Sequence, residues 1–345
     1  MRLAFVTVGD TSRGTGGHLY NARVLDGLRE RGVEVEEILA SGESLEEQRA
    51  IASSLGERLS PESFDVICVD ALARVACAPY LDRWRERAPL LAMVHELPSV
   101  ARSDESERPY EEPLLRADRL VCVSRHGAGI LQSRGVEPER IHVVPPGLDR
   151  SPAREPRAEG GALRVLCVGQ WIPRKGIVDL VQAWKRCRKQ AGAKLELIGE
   201  TDADPAYAGR VREAIDGAED ILVRGPLPED ELRRAYAAAD LFALPSVYEG
   251  YGMVYAEAMS RGLPVVACSA GPVPEVVGEA GLLVRPGDVE ELARALERVL
   301  SDEAFRSELS EAAFGRAGEL SGWDSTVDGF KRALEAAVAQ RAASR

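Results

Sequence analysis

The chain has 345 residues, 56 of them acidic against 44 basic, for a net charge of −12. That length suits two domains of ordinary size better than one core. An acidic chain with no basic block excludes a nucleic-acid binder that works by neutralising phosphates. The six cysteines (Cys68, Cys77, Cys122, Cys167, Cys187 and Cys268) form no C-x-x-C pair, and four stand inside apolar strand-like runs. They read as buried thiols in a reducing cytoplasm, not as staples or metal ligands. No apolar run approaches the ~18 residues of a membrane helix. Asp10 interrupts the amino terminus too early for a signal peptide. The expectation is a cytoplasmic protein with at most peripheral membrane contact.

In chain order, the apolar run 2–8 predicts a strand. The loop G-D-T-S-R-G-T-G-G follows, then a helical pattern over 18–31 with Leu19, Ala22, Leu25 and Leu28 on one face. Gly32 closes that helix, and V-E-V-E-E-I is the next strand. Such a β-loop-α-β unit belongs to the doubly wound class. A helix over 45–59, the strand D-V-I-C-V, a helix over 74–87 and the strand L-L-A-M-V-H continue it. His95 thereby stands at the carboxyl end of a parallel strand, where ligands of open α/β sheets gather. The stretch 97–113 is polar, charged and proline-bounded, and reads as a mobile surface loop. Strands recur at L-V-C-V-S and I-H-V-V-P with a helix over 126–134 between them.

Residues 151–161, rich in Pro, Arg, Glu and Gly, carry no apolar period and read as an interdomain linker. Next, L-R-V-L-C-V-G-Q-W-I-P-R-K-G-I repeats the opening order of strand, glycine loop and helix, as a second domain of the same kind would. Strands K-L-E-L-I-G and I-L-V-R-G and an amphipathic helix over 228–239 lead to the stretch 240–275, around which the chain is organised. There the strand 241–244 stops at Pro245 and Ser246, Gly250 and Gly252 free the backbone for a turn, and a helix runs over 253–261. Gly262 and Pro264 end the helix before the strand 265–268. A strand at G-L-L-V, a helix over 289–300 and two helices around Trp323 finish the chain.

Two acids mark the organising stretch: Glu249 on the loop and Glu257 eight residues on, with the glycine-flanked Tyr251 between them. The amides around Gly252, Met253 and Val254 form a helix N-terminus, whose partial charge of roughly +0.5 favours an anion. Phosphate donors beside two acids fit a phosphorylated, hydroxyl-rich ligand. The plain alternative is a solvated loop acid and a helix acid worth a few tenths of a kcal/mol through the dipole. Lys175, after a strand and before a helix, is either a solvated lysine or a phosphate-binding charge. His95 is either a satisfied core histidine or a site residue, and His18 and His126 are weaker candidates. The G-T-G-G turn invites a dinucleotide reading, but its third fingerprint position is Leu19. D-A-D at Asp202 to Asp204 has the pattern of a metal-holding pair but lies in a polar loop where acids are commonplace. No His, Cys and acid cluster has metal spacing.

E-G-Y-G followed by E-A-M-S-R-G-L-P-V-V resembles the E-x7-E signature of glycosyltransferase family 4, the retaining GT-B enzymes. The match extends to P-S-x-x-E upstream and G-P-V-P-E downstream. The resemblance implies two Rossmann-like doubly wound α/β domains facing a cleft. These are an acceptor domain at 1–155, completed by a terminal helix at 324–345, and a nucleotide-sugar domain at 160–322. It implies retaining, metal-independent transfer of a hexosyl group from a UDP- or GDP-hexose to a small-molecule, glycan or lipid-linked hydroxyl acceptor, with no cofactor. Carried over residue by residue, Glu249 meets sugar hydroxyls and Glu257 the ribose. Lys175 meets the diphosphate together with the loop Gly250, Tyr251, Gly252, Met253 and Val254. Gly16 and Gly17 lie against donor phosphates or acceptor, and His95 points at the transferred sugar. The family commonly has Arg after the strand glycine; here Gln170 follows Gly169, which leaves Arg174 as the candidate substitute. As a loop acid, Glu249 is expected to be removable without loss of the fold. The competing classes are a related GT-B epimerase or phosphorylase and an NAD-dependent oxidoreductase.

Overall fold

The structure, a computed structural model, describes residues 1–9, 16–40, 45–149, 162–187 and 192–343. The chain divides into two compact units, Met1–Gly147 with Ser321–Arg345, and Leu148–Leu320. The linker reading at 151–161 falls outside the described residues. Among the described residues the strands make two six-stranded sheets, one per unit, all pairs parallel.

The first sheet contains β1 (Arg2–Val8), β2 (Glu34–Ala40), β3 (Val66–Asp70), β4 (Leu90–Val94), β5 (Arg119–Cys122) and β6 (Ile141–Val143), in the order β2-β1-β3-β4-β5-β6. Every residue of β3 and β4 is buried, as continuous apolar runs must be when helices cover both faces of a parallel sheet. The acid-apolar alternation of β2 puts that strand at the edge, where Glu34 and Glu36 meet Arg2 and Glu37 meets Arg29. The last helix, Trp323–Ala343, belongs to this unit. Gly147 lets it approach: a Cβ there would lie 2.4 Å from the backbone of Trp323. Arg31 pairs with Asp324 and Asp328, and Thr326 Oγ1 donates to the Pro145 carbonyl at 2.9 Å.

The second sheet contains β7 (Arg164–Val168), β8 (Lys194–Ile198), β9 (Ile221–Gly225), β10 (Leu241–Leu244), β11 (Val265–Cys268) and β12 (Gly281–Val284), in the order β12-β11-β10-β7-β8-β9. Its strand order reverses between β7 and β10. At such a switch point the loops leaving neighbouring strands diverge and open a crevice at the carboxyl ends. The helix Met253–Ser260 and the strands on either side of it occupy the positions that the residues of the organising stretch specify.

Two sequence expectations need correction. The helix over 74–87 is broken: Arg74–Cys77 and Leu81–Arg87 are separate helices. Pro79 lies in the break, since its ring cannot continue a hydrogen-bonded helix interior. The stretch 97–113 is an ordered run of helical turns, Pro98–Ala101, Glu105–Glu107 and Arg108–Leu115. Three of its polar residues, Ser99, Glu107 and Glu111, are buried, while those between 102 and 106 are exposed. Arg74 donates from Nη2 and Nε to Glu107 Oε2 at 2.7 and 3.1 Å, with both side chains buried. Glu111, fully buried, accepts from the Ser99 amide at 2.8 Å and hydroxyl at 2.5 Å, with Arg134 at 3.3 Å. These partners are far apart in sequence, so their polarity alone looks like exposure.

All six cysteines are buried thiols. No described helix is long and apolar enough to cross a membrane.

Leaving the Arg74 guanidinium buried without its acid is costly, so Glu107→Ala should reduce unfolding free energy by about 3–5 kcal/mol. The double variant Arg74→Met/Glu107→Leu should recover most of that loss. Urea denaturation of the three proteins checks this; a loss under about 1 kcal/mol, the range of a surface pair, would show that apolar packing alone holds the segment.

Candidate functional site

In the second unit the loop after β7 makes one turn, Pro173–Lys175, and leaves it through Gly176 at φ 66°. A Cβ on Gly176 would lie 2.3 Å from the Pro245 carbonyl oxygen, so only glycine allows this loop to press against the loop leaving β10. The Val247 amide donates to the Arg174 carbonyl at 2.8 Å and fastens the two loops together. The result sets Lys175 Nζ 2.6 Å from Glu249 Oε1 and Arg174 Nη1 3.6 Å from Glu249 Oε2. Arg174 Nη1 also donates to the Tyr248 carbonyl at 3.4 Å.

Glu249 is therefore not a solvated loop acid; it is 6% exposed. Burial pushes its carboxyl up, but Lys175 and Arg174 outweigh that and hold it below the ordinary carboxylate range. This corrects the expectation that its removal is harmless to the fold, because Lys175, itself only 12% exposed, would lose its partner. Gln170, where the signature has arginine, donates from Nε2 to Glu200 at 2.7 Å. The second cation beside Lys175 comes from Arg174.

The chain then turns through Gly250 and the buried Tyr251 to Gly252, whose φ of 98° a side chain would strain. A Cβ on Gly252 would also sit 2.5 Å from the Tyr255 ring. Gly252 begins the helix Met253–Ser260 without a side-chain cap, so the amides of Met253 and Val254 receive no capping oxygen from it. Tyr255 hydroxyl donates to the Leu244 carbonyl at 2.9 Å and pins the helix to the end of β10. Glu257 stands apart from Glu249 in its bonding: it accepts from the buried Tyr236 hydroxyl at 3.0 Å. Burial raises the Glu257 carboxyl, Asp149 and Glu229 add to the rise, and the Tyr236 hydrogen bond opposes it.

In the first unit, Gly16 and Gly17 open the helix Gly16–Glu30, and the remainder of the glycine loop, 10–15, falls outside the described residues. His95 follows β4 with its ring beside Gly17 and edge-on to Tyr20, ring centroids 5.2 Å apart. His95 Nε2 lies 3.0 Å from Asn21 Oδ1. Asn21 Nδ2 donates to Asp70 Oδ2 at 2.5 Å, and the same oxygen accepts from Thr7 Oγ1 at 3.1 Å. The other oxygen, Asp70 Oδ1, accepts from the Leu72 amide at 2.9 Å. Burial holds His95 below the ordinary imidazole range, with Asp70 and Glu96 opposing. His18 Nε2 lies 3.3 Å from the Val8 carbonyl, and His126 is exposed.

The sequence reading missed Asn21, Asp70 and Tyr236. An acid ending the apolar run D-V-I-C-V-D was the available signal for Asp70; nothing local marks the other two. Asp204 of the D-A-D motif caps the helix Pro205–Ile215 by accepting from the Tyr207 amide at 2.9 Å. Among the described residues no three His, Cys, Asp or Glu side chains are grouped to hold a metal ion.

Because the folded-state carboxyl of Glu249 is depressed, its pairing contributes stability above the unfolded carboxyl's range, about 4.3, and that contribution disappears as pH falls through the folded value. Lys175→Met removes the nearer cation and leaves Arg174 at 3.6 Å, so at pH 7 it should cost about 1.5–3 kcal/mol, the range of a hydrogen bond to a charged group. As pH falls toward the ordinary carboxylate range, about 4.3, the variant's Glu249 takes up a proton more readily than the parent's and the gap between them should narrow. Urea denaturation at both pH values measures this; an equal gap at both would refute the pairing.

Residues 162–302 match the family model described as glycosyl transferases group 1, and residues 43–151 match that of glycosyltransferase family 4. An MMP alpha-(1->4)-mannosyltransferase of Mycolicibacterium hassiacum is 31% identical over 280 residues, covering 74% of this chain and 67% of that protein. A D-inositol 3-phosphate glycosyltransferase of Salinispora arenicola is 30% identical over 295 residues, covering 75% of this chain and 65% of that protein. The matches thus span about two thirds of these relatives' length or slightly less. Sucrose-phosphate synthase from Thermosynechococcus elongatus superposes with a TM-score of 0.83 at 21% identity, covering 96% of this chain and 97% of that one. Anabaena HepE in complex with UDP-glucose superposes with a TM-score of 0.79 at 19% identity over the whole of both chains. At such identities the structural likeness concerns the GT-B fold alone. With both family models matched and the signature acids in place, the chain belongs to glycosyltransferase family 4.

Proposed function

We propose that this chain transfers a hexosyl group from a nucleoside-diphosphate sugar to a hydroxyl acceptor, with retention of configuration and without a metal. The observation that carries this reading is the convergence of Lys175 and Arg174 on Glu249 beside the helix N-terminus at Gly252, at the switch point of the second sheet. The mannosyltransferase and inositol-phosphate glycosyltransferase names of the relatives support the substrate class.

In the proposed reaction the donor diphosphate replaces Glu249 as the counter-charge of Lys175 and Arg174. The amides of Met253 and Val254 add hydrogen-bond donors at the positive end of the helix. As the sugar–phosphate bond breaks, charge accumulates on the departing diphosphate, and these fixed positive groups stabilise it without reorganising. Glu249, released from Lys175, accepts from hydroxyls of the sugar ring, and Glu257 from the ribose. Gly250 and Tyr251 shape the turn that carries both acids. The first unit supplies the acceptor surface, with Gly16 and Gly17 at its glycine loop and His95 toward the reacting sugar. The acceptor attacks from the face that the diphosphate leaves, which gives retention.

Thermal denaturation with UDP, GDP or ADP should show stabilisation by the diphosphate of the right base, since a ligand bound only to the folded state raises its melting temperature. Arg174→Ala and Lys175→Ala should each weaken that diphosphate in calorimetry by about tenfold or more, the scale of a charge-assisted contact. Glu249→Gln should lower hexosyl transfer by about a hundredfold, the size carried by single transition-state contacts. Stabilisation by none of the three diphosphates would sink the reading, and product NMR showing an inverted anomeric centre would remove retention.

A further inference from the structure

At the carboxyl ends of β1, β3 and β4 the first unit holds a chain of polar side chains that reaches from the sheet interior to His95. Asp70, fully buried at the end of β3, accepts from Thr7 and the Leu72 amide as well as from Asn21. The contact of 2.5 Å between Asp70 Oδ2 and the Asn21 amide group settles which way that amide points. Turned over, the Asn21 oxygen would press against a carboxylate oxygen already surrounded by acceptor-seeking donors, two lone-pair groups face to face. With the nitrogen toward Asp70, Asn21 presents its oxygen to His95 Nε2 at 3.0 Å. An amide oxygen only accepts, so the ring nitrogen facing it must carry the proton. No described residue donates to His95 Nδ1, and the imidazole side chain is 15% exposed.

We propose that Asn21, oriented by Asp70, is a positioning residue that fixes His95 as the Nε2–H tautomer, so that Nδ1 is offered as a hydrogen-bond acceptor to a hydroxyl of the sugar substrate. The last clause rests on the proposed glycosyl transfer; the tautomer does not. The arrangement gives His95 a defined part: it accepts from the sugar and orients it, and it does not deliver a proton from Nδ1. The ring is steadied by Tyr20, whose hydroxyl donates to the Val144 carbonyl at 3.1 Å.

Long-range proton–nitrogen correlation spectra of the full chain, with His95 assigned by its disappearance in His95→Gln, distinguish the two neutral tautomers and the imidazolium without any substrate. The parent should show Nε2 protonated and Nδ1 bare. Asp70→Asn gives Asn21 a partner that can donate to its oxygen, so its amide can turn over and the proton should move to Nδ1. Asn21→Leu leaves Asp70 Oδ2 3.9 Å from His95 Nε2, so the Nε2–H form should persist in part, and the double variant Asn21→Leu/Asp70→Asn should show a mixture of both forms. In the transfer assay Asn21→Leu should lower kcat by about tenfold or more, as loss of an orienting partner does, with the donor KM changed less than about twofold. A parent His95 protonated at Nδ1 or at both nitrogens would overturn the proposal, as would Asp70→Asn with an unaltered tautomer, even if its melting temperature fell. Because the spectra need no turnover, they decide the tautomer even if hexosyl transfer is not the reaction.

Discussion

Taking a carboxylate out of water is expensive unless positive charge meets it, and that requirement shapes the second unit around Glu249. Two loops that leave adjacent strands on either side of the switch point must approach within hydrogen-bond distance so that Lys175 and Arg174 can reach it. The approach depends on Gly176, where a side chain would strike the Pro245 carbonyl, and on the strand order that brings β7 beside β10. Once formed, the cluster has almost no slack: two cations share one acid at the mouth of a helix whose first amides lack a side-chain cap. In the proposed reaction the internal carboxylate holds the place that the donor's charge would take.

The first unit meets the same requirement with different chemistry. Glu107 and Glu111 are met by Arg74 and Arg134 and tie a polar stretch to the interior. Asp70 is met by neutral donors from three elements, and passes a hydrogen-bond direction through Asn21 to His95. A fully engaged network of buried polar groups admits one arrangement far more readily than several, since any rotated member leaves a donor or acceptor unmet. Gly17, in the first turn of the helix Gly16–Glu30, lies beside the ring of His95.

Family membership and local geometry bear on different questions. The matched family models and the relatives place the chain among family 4 glycosyltransferases, and the solved neighbours share its fold at identities too low to carry chemistry. The substitution of Gln170 for the usual arginine shows why side-chain placement matters: Gln170 turns to Glu200, and the neighbouring Arg174 takes up the position beside Glu249.

The amino-acid sequence alone determined the alternation of strand and helix, the repeat of the opening pattern after residue 161, and the loop-to-helix turn that carries Glu249 and Glu257. Each of these is written in local periodicity, in glycine and proline positions, and in a spacing of eight residues. It misread 97–113 as a surface loop and took Glu249 to be removable without loss of the fold, because polarity counts as exposure until a partner is known, and the partners lie 12 to 74 positions away. Only the tertiary structure decided that Arg174 and Lys175 both face Glu249, that Tyr236 donates to Glu257, and that Asp70 and Asn21 stand behind His95. Those facts follow from strand order and from which loops meet at the ends of the sheets, and no local run of residues encodes a distance between elements so far apart in the chain.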